Sequence, residues 1–145
     1  VQIWRRSYDI PPPHLDYDDK RHPRFNKKFQ HLSDNLPVGE SLRNVIDRLE
    51  SFWKSYFKMI SASKGDHLIV AHSNSLRAII KILEKLSDKE IVSVNIPTGV
   101  PLVYTFENDM TIIDKKYLID EETLKRKKKI VENQGKIKWA SISNQ

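Results

Sequence analysis

The sequence predicts a mixed α/β fold that is short of strands. Three observations point there. Apolar residues recur with helical period over three stretches. A short, wholly apolar run at Leu68-Ile69-Val70-Ala71 leads at once into one of them. Two strand-like segments flank the turn-forming pair Asn108-Asp109. At 145 residues the chain has the size of one small domain or a piece of one.

Taken in order, the N-terminal segment through Ser7 fits either a helix end or an extended arm. Pro11-Pro12-Pro13 then stops any helix, and Pro23 and Pro37 punctuate a region from Tyr8 to Val38 with no sustained period. A long ordered loop is expected there, with one short helical turn near residues 26–31. A loop of about 30 residues is uncommon in a compact domain and is often functional. From Glu40 the pattern is helical, carried by Leu42, Val45, Ile46, Leu49, Trp53, Tyr56 and Ile60, with Lys64-Gly65 as its stop. The run at residues 68–71 reads as a strand buried on both faces. His72-Ser73-Asn74-Ser75 follows it, then a helix through Leu76, Ile79, Ile80 and Leu83.

Ser87-Asp88-Lys89-Glu90 fits a capping box and starts a short helix through Ile91 and Val94. Residues 97–101 form a constrained loop, and residues 102–106 and 111–118 a hairpin. Asp120 caps a last helix running to about Asn133, closed by Gly135. The domain should span residues 1–135, with a flexible tail at 136–145. Three strands fall short of the five or six of an average sheet. The sequence therefore reads as an incomplete α/β domain.

Composition narrows the function classes. Apolar residues make up 39% and charged residues 30%, an ordinary soluble balance. No apolar run approaches the roughly 20 residues that a spanning helix needs. With no cysteine, disulfides, thiolate chemistry and thiol-ligated zinc are excluded. The net charge of +6 is concentrated between Lys115 and Lys138, where nine basic residues face four acidic ones. Its centre is Lys125-Arg126-Lys127-Lys128-Lys129. No aromatic residue interleaves that run and no nucleic-acid motif surrounds it, so it reads as a solvated helix end. The sequence begins at Val1, has methionine only at positions 59 and 110, and shows no basic-then-apolar leader. A processed chain or part of a longer reading frame is expected.

One segment carries chemistry. In a doubly wound sheet, ligands bind beyond the carboxyl ends of strands, where the next helix presents free N–H groups and a positive dipole end. An anion there would meet the Ser73 and Asn74 amides, the Asn74 side chain and the His72 imidazole. The alternative makes His72 a strand-end histidine and Asn74 or Ser75 a simple cap. Arg5 and Arg6 can clamp a carboxylate or phosphate, or be a surface pair. His14, His22 and His31 lack metal-ligand spacing, and His67 opens the strand.

Several stretches together resemble one family. Trp4-Arg5-Arg6-Ser7-Tyr8-Asp9, followed by Pro11-Pro12-Pro13, is similar to the middle of cofactor-dependent phosphoglycerate mutases, as are Leu36-Pro37 and Glu40-Ser41-Leu42. Ala71-His72-Ser73-Asn74-Ser75-Leu76-Arg77 resembles that family's Ala-His-Gly-Asn-Ser-Leu-Arg. Asn95-Ile96-Pro97-Thr98-Gly99-Val100-Pro101-Leu102-Val103-Tyr104 follows a long family signature, and Gln134-Gly135-Lys136 its usual ending. The wider group is the histidine phosphatase superfamily, whose members share a phosphohistidine intermediate.

The resemblance implies a three-layer α/β/α sandwich, incomplete here, and a glycolytic and gluconeogenic isomerase of the cytoplasm. That enzyme interconverts 3- and 2-phosphoglycerate, is primed by 2,3-bisphosphoglycerate and needs no metal. It implies that His72 stabilises the phosphoryl group in flight, that Ser73 and Asn74 contact the bisphosphoglycerate, and that Arg5 and Arg6 bind the substrate's acidic groups. Ser73 stands where the family has glycine, which matters if that backbone is unusual. The nucleophilic histidine of an Arg-His-Gly motif and the acidic proton-transfer residue have no counterpart in this sequence. Arg21-His22-Pro23 sits in the proline-rich loop and does not qualify. The chain alone is therefore expected to be inactive. As partners the resemblance implies phosphoglycerates, with room for a complementary N-terminal fragment and a homo-oligomer such as a dimer. Neither nucleic acid nor a membrane is expected as a partner. The alternatives are a non-catalytic phosphate-binding remnant or interaction module, or a phosphatase of the same superfamily.

Overall fold

A computed structural model describes residues 2–63 and 65–134. The chain runs α1 (Gln2–Arg5), two 3-10 segments (Pro23–Phe25 and Lys27–Asn35), α2 (Leu42–Ala62), α3 (Ser73–Glu84) and α4 (Asp88–Ser93). The hairpin β1 (Leu102–Phe106) and β2 (Ile112–Tyr117) and the helix α5 (Glu121–Asn133) follow. The mixed α/β class is as expected, with helices around a two-stranded antiparallel sheet. The N-terminal segment is helical. Its two open readings are thus resolved by α1.

Caps explain where the helices start. Ser41 Oγ accepts the Asn44 N–H at 3.3 Å, and Asn44 Oδ1 accepts the Ser41 N–H at 3.0 Å, a reciprocal box at the head of α2. Ser87 and Glu90 do the same for α4, and Asp120 Oδ1 accepts the Thr123 N–H at 2.8 Å to open α5. Gly65 takes φ +116° just beyond α2, a backbone that L side chains rarely adopt. Lys64 and Gly135, the other expected stops, lie outside the described residues, as does the tail at 136–145.

The apolar stripe of α2 buries Leu42, Val45 and Ile46 against Ala78 of α3 and Ile91 of α4. Tyr8, Leu49, Leu86 and Val94 complete that cluster. Further along α2, Trp53 is buried beside Phe57, whose ring meets Phe106 of β1 edge-on at 6.0 Å between centroids. That aromatic chain ties the hairpin to α2. At the hairpin tip Met110 adopts φ 66°, while Asp109 Oδ1 accepts the Thr111 N–H at 2.9 Å. The register slips once, between Thr105 and Phe106.

The long loop is ordered by its own contacts. His22 is 2% exposed, its Nδ1 accepts the Arg24 N–H at 3.1 Å, and the Arg24 guanidinium lies 3.5 Å over the Tyr17 ring. The helical turn expected near residues 26–31 appears as the longer 3-10 segment Lys27–Asn35.

Residues 68–71 correct an expectation. They form no strand, and Leu68 and Val70 are 85% and 84% exposed. A strand exists only through ladder partners. Among the described residues β1 and β2 pair with each other and nothing pairs with this run. The intrinsic signal for a buried strand is present and the rest of its sheet is not.

Two measurements follow from this packing. Ile91→Ala, at a fully buried site (0% exposed), should destabilise the chain by ~2–5 kcal/mol in urea unfolding, because the neighbouring helices cannot collapse onto the hole. An effect below about 1 kcal/mol would mean that α4 is not part of the cooperative core. Second, Leu68→Lys with Val70→Lys should reduce self-association in sedimentation velocity, since exposed unpaired apolar backbone templates aggregation. Unchanged self-association would locate the sticky surface elsewhere.

Candidate anion-binding site

The segment after residue 71 builds the site from a helix start. His72 is the N-cap of α3, with extended φ and ψ, and its Nδ1 accepts the Asn74 N–H at 3.3 Å. With Nδ1 accepting, the neutral ring carries its hydrogen on Nε2, which leaves a donor for a ligand. The cap is therefore His72 itself and not Asn74 or Ser75, which lie within α3, and capping and ligand binding can use different ring nitrogens. One detail of the expected geometry changes. The Asn74 amide is already engaged by His72, so the amides open to an anion at this helix start are those of its neighbours Ser73 and Ser75.

Ser73 sits in the first turn of α3 with right-handed helical backbone. It is not among the non-glycine residues of positive φ, which are Lys85 and Met110. A serine therefore fits this position without conformational strain. Its hydroxyl adds a donor beside the helix N-terminus.

The arginine pair arrives from the other end of the chain. Arg5 Nη2 donates to Gln134 Oε1 at 2.7 Å. Arg6 Nη2 donates to the Glu132 carbonyl at 2.8 Å, and its Nη1 to Asn95 Oδ1 at 3.2 Å. These acceptors are neutral, and the Glu132 carbonyl lies in the last turn of α5, where the helix dipole favours cations. Arg5, Arg6, His72, Ser73 and Asn74 all line one cleft of about 970 Å³, with the loop at 97–101 along its rim. The structure brings together every site residue expected from the sequence.

A third arginine joins them. Arg77, one turn after Asn74 on α3, is half-buried in the same cleft. Burial first, then the Arg6 and Arg5 charges, lower its pKa from the ordinary arginine value. Among the described residues, no carboxylate forms an ion pair with Arg5, Arg6 or Arg77. Arg5 and Arg6, with no anion of their own, can receive an anion in this cleft, while the Arg77 guanidinium is committed to the protein, its Nη2 donating to the Ile91 carbonyl at 2.7 Å.

Sequence reasoning gave no separate role to Arg77, Asn95 or Gln134. The Asn74–Arg77 spacing of i, i+3 puts both on one helical face and is a legible signal. Gln134 and Asn95 were legible only as members of family-like stretches, without a role of their own. The remaining histidines stand apart from the cleft: His67 Nε2 lies 2.7 Å from Ser63 Oγ, and His22 is locked in its loop. Among the described residues no group of three or more His, Cys, Asp or Glu is arranged to hold a metal. The basic run lies on α5, where Lys128 packs 4.5 Å over the Tyr117 ring.

Residues 14–117 match the histidine phosphatase superfamily, branch 1, and the chain belongs to that superfamily. Within it, the chain is similar to proteins named 2,3-bisphosphoglycerate-dependent phosphoglycerate mutase. It is 45% identical over 137 residues to the one from Hydrogenobaculum sp. (strain Y04AAS1), an alignment covering 94% of this chain and 56% of the relative. The Treponema denticola protein is 47% identical and the Parabacteroides distasonis protein 43%, each over 139 residues, 95% of this chain and 56% of the relative. The chain thus spans a little over half the length of the curated relatives it matches.

The cleft makes a direct prediction about anions. Inorganic phosphate should shift the indole resonance of Trp4, which lines the cleft and is 38% exposed, and leave that of the distant, buried Trp53 unmoved. Arg6→Ala should weaken the apparent affinity about tenfold or more, the worth of a hydrogen bond to a charged group. A titration that moves neither indole would count against an anion site here.

Proposed function

We propose that this chain forms the substrate-binding and charge-stabilising part of a 2,3-bisphosphoglycerate-dependent phosphoglycerate mutase. The reaction is the interconversion of 3- and 2-phosphoglycerate through a phosphohistidine. The observation that carries the reading is the convergence of Arg5 and Arg6 with His72, Ser73 and Asn74 on one cleft whose lining carboxylate, Glu40, is paired with Arg48 and not with either site arginine. Residues 1–135 act as one domain in this reading. A cytoplasmic setting suits a glycolytic substrate.

Phosphoryl transfer asks little covalent chemistry of the protein beyond the nucleophile, and much positioning and charge stabilisation. Arg5 and Arg6 hold the carboxylate or phosphate of the substrate in the ground state. Their neutral partners Gln134, Asn95 and the Glu132 carbonyl keep both side chains extended into the cleft without quenching their charge. His72 directs its Nε2 hydrogen at the equatorial oxygens of the transferring group, whose charge demand peaks in the transition state. Ser73 and Asn74 orient the same group from the head of α3. The uncompensated cationic cleft fits 2,3-bisphosphoglycerate, which when bound supplies the phosphoryl group that charges the nucleophilic histidine.

That histidine has no counterpart in this sequence, which lacks an Arg-His-Gly motif. The reading therefore assigns it, with the acidic proton-transfer residue, to N-terminal sequence outside these 145 residues, whether on the same or a complementary chain. The exposed, unpaired run at residues 68–71 is the feature such a segment would cover. The same missing motif favours a second reading, a phosphate-binding module without turnover.

Alone, the chain should bind 2,3-bisphosphoglycerate but convert no 3-phosphoglycerate above background. Mixed with the N-terminal part of a relative, it should regain turnover if the first reading holds and stay inactive if the second does. In the restored enzyme His72→Asn, which keeps a helix-capping oxygen, should lower kcat on the order of 100- to 1,000-fold with a smaller change in KM. Arg6→Ala should raise KM as well. Normal single-turnover phosphorylation by the His72→Asn enzyme would refute the catalytic role.

A further inference from the structure

Arg77 is bound more firmly than any ligand-following side chain would be. Its Nη2 donates to the Ile91 carbonyl at 2.7 Å and reaches the Val92 carbonyl at 3.5 Å, which ties the first turns of α3 to the last residues of α4. The fork leaves Nη1 pointing back along α3, where it donates to Asn74 Oδ1 at 3.4 Å. Its Nε is buried without a hydrogen-bond partner among the described residues, so the guanidinium is held by its two terminal nitrogens. Asn74 itself is exposed in the cleft.

An asparagine side chain offers one acceptor and one donor end, and the two differ by a flip of the terminal amide. Toward a phosphate the donor end attracts and the acceptor end repels. A fixed guanidinium beside Oδ1 selects between them, because only the oxygen can accept from it. We propose that Arg77 is a positioning residue that sets the amide orientation of Asn74, holding its oxygen back on α3 so that its NH2 group faces the anion. Arg77 acts on the ligand through Asn74 and not by touching it. Sequence spacing serves the device, since residues three apart on a helix share a face. The inference rests on the cleft's being the phosphoglycerate or bisphosphoglycerate site.

A double-mutant cycle on the full 145-residue chain separates this from its rivals, read by calorimetric titration with 2,3-bisphosphoglycerate. Arg77→Met should weaken binding about tenfold when Asn74 is present and by less than about twofold in an Asn74→Ala background. Arg77→Lys keeps a cation that can donate to the α4 carbonyls but lacks the planar fork that also spans to Asn74, so it should show the same coupling even if Arg77→Met fails to fold. In the unsubstituted chain the Asn74 side-chain NH2 resonances should shift on titration, and in Arg77→Lys that shift should shrink. Equal losses in both backgrounds, or no loss in either, would overturn the positioning role while leaving the binding reading intact. No binding by the unsubstituted chain would overturn that reading and this inference together.

Discussion

Arg6 is the interaction on which the site depends. Its two terminal nitrogens reach the Asn95 side chain after α4 and the Glu132 carbonyl in the last turn of α5, 89 and 126 residues away in sequence. One guanidinium thus closes the N-terminal segment, the loop before the hairpin and the C-terminal helix onto a common centre. Neutral acceptors do this without cancelling the charge. A carboxylate in either place would have made a stronger local tie and a poorer anion receptor. Arg5 repeats the arrangement with Gln134.

The helical scaffold makes that closure possible. α2 and α3 bury Val45, Ile46 and Ala78 face to face, with Ile91 of α4 filling the space beneath. α3 is thereby fixed at its middle, while its first turn projects into the cleft with His72 as cap. The short α4 contributes a core residue in Ile91 and, through the carbonyls of Ile91 and Val92, the seat for Arg77. Core packing and site geometry share the same few residues. Ile91 therefore bears on the geometry of the cleft without lining it.

One surface remains out of balance. Leu68 and Val70 stand in solvent beside the start of α3, and the C-terminal half of α2 presents Phe52 and Met59 more than half exposed. Scattered exposed apolar residues are normal, but these come from adjoining segments, and His67 edges against Tyr56 between them. A sheet continuing past residues 68–71 is the arrangement their sequence is suited to. The relatives' greater length supplies room for it.

The helices, the caps at Ser87 and Asp120 and the hairpin were legible in the sequence because each is a local device. Ser41 with Asn44, Ser87 with Glu90, and Asp120 with Thr123 settle their hydrogen bonds within three residues. The apolar period of α2 likewise fixes its buried face before any partner arrives. The family motifs singled out Arg5, Arg6, His72, Ser73 and Asn74, and all five meet in one cleft. What the sequence alone could not decide was anything that needs a distant partner. The run at residues 68–71 has the composition of a buried strand, yet a strand is a property of a ladder, and no described segment pairs with it. The division of labour on His72, one nitrogen for the helix and one for a ligand, appears only once α3 has a direction. The roles of Gln134, Asn95 and Arg77 were set by tertiary structure, because a guanidinium's partners are chosen by where the chain's ends come to rest.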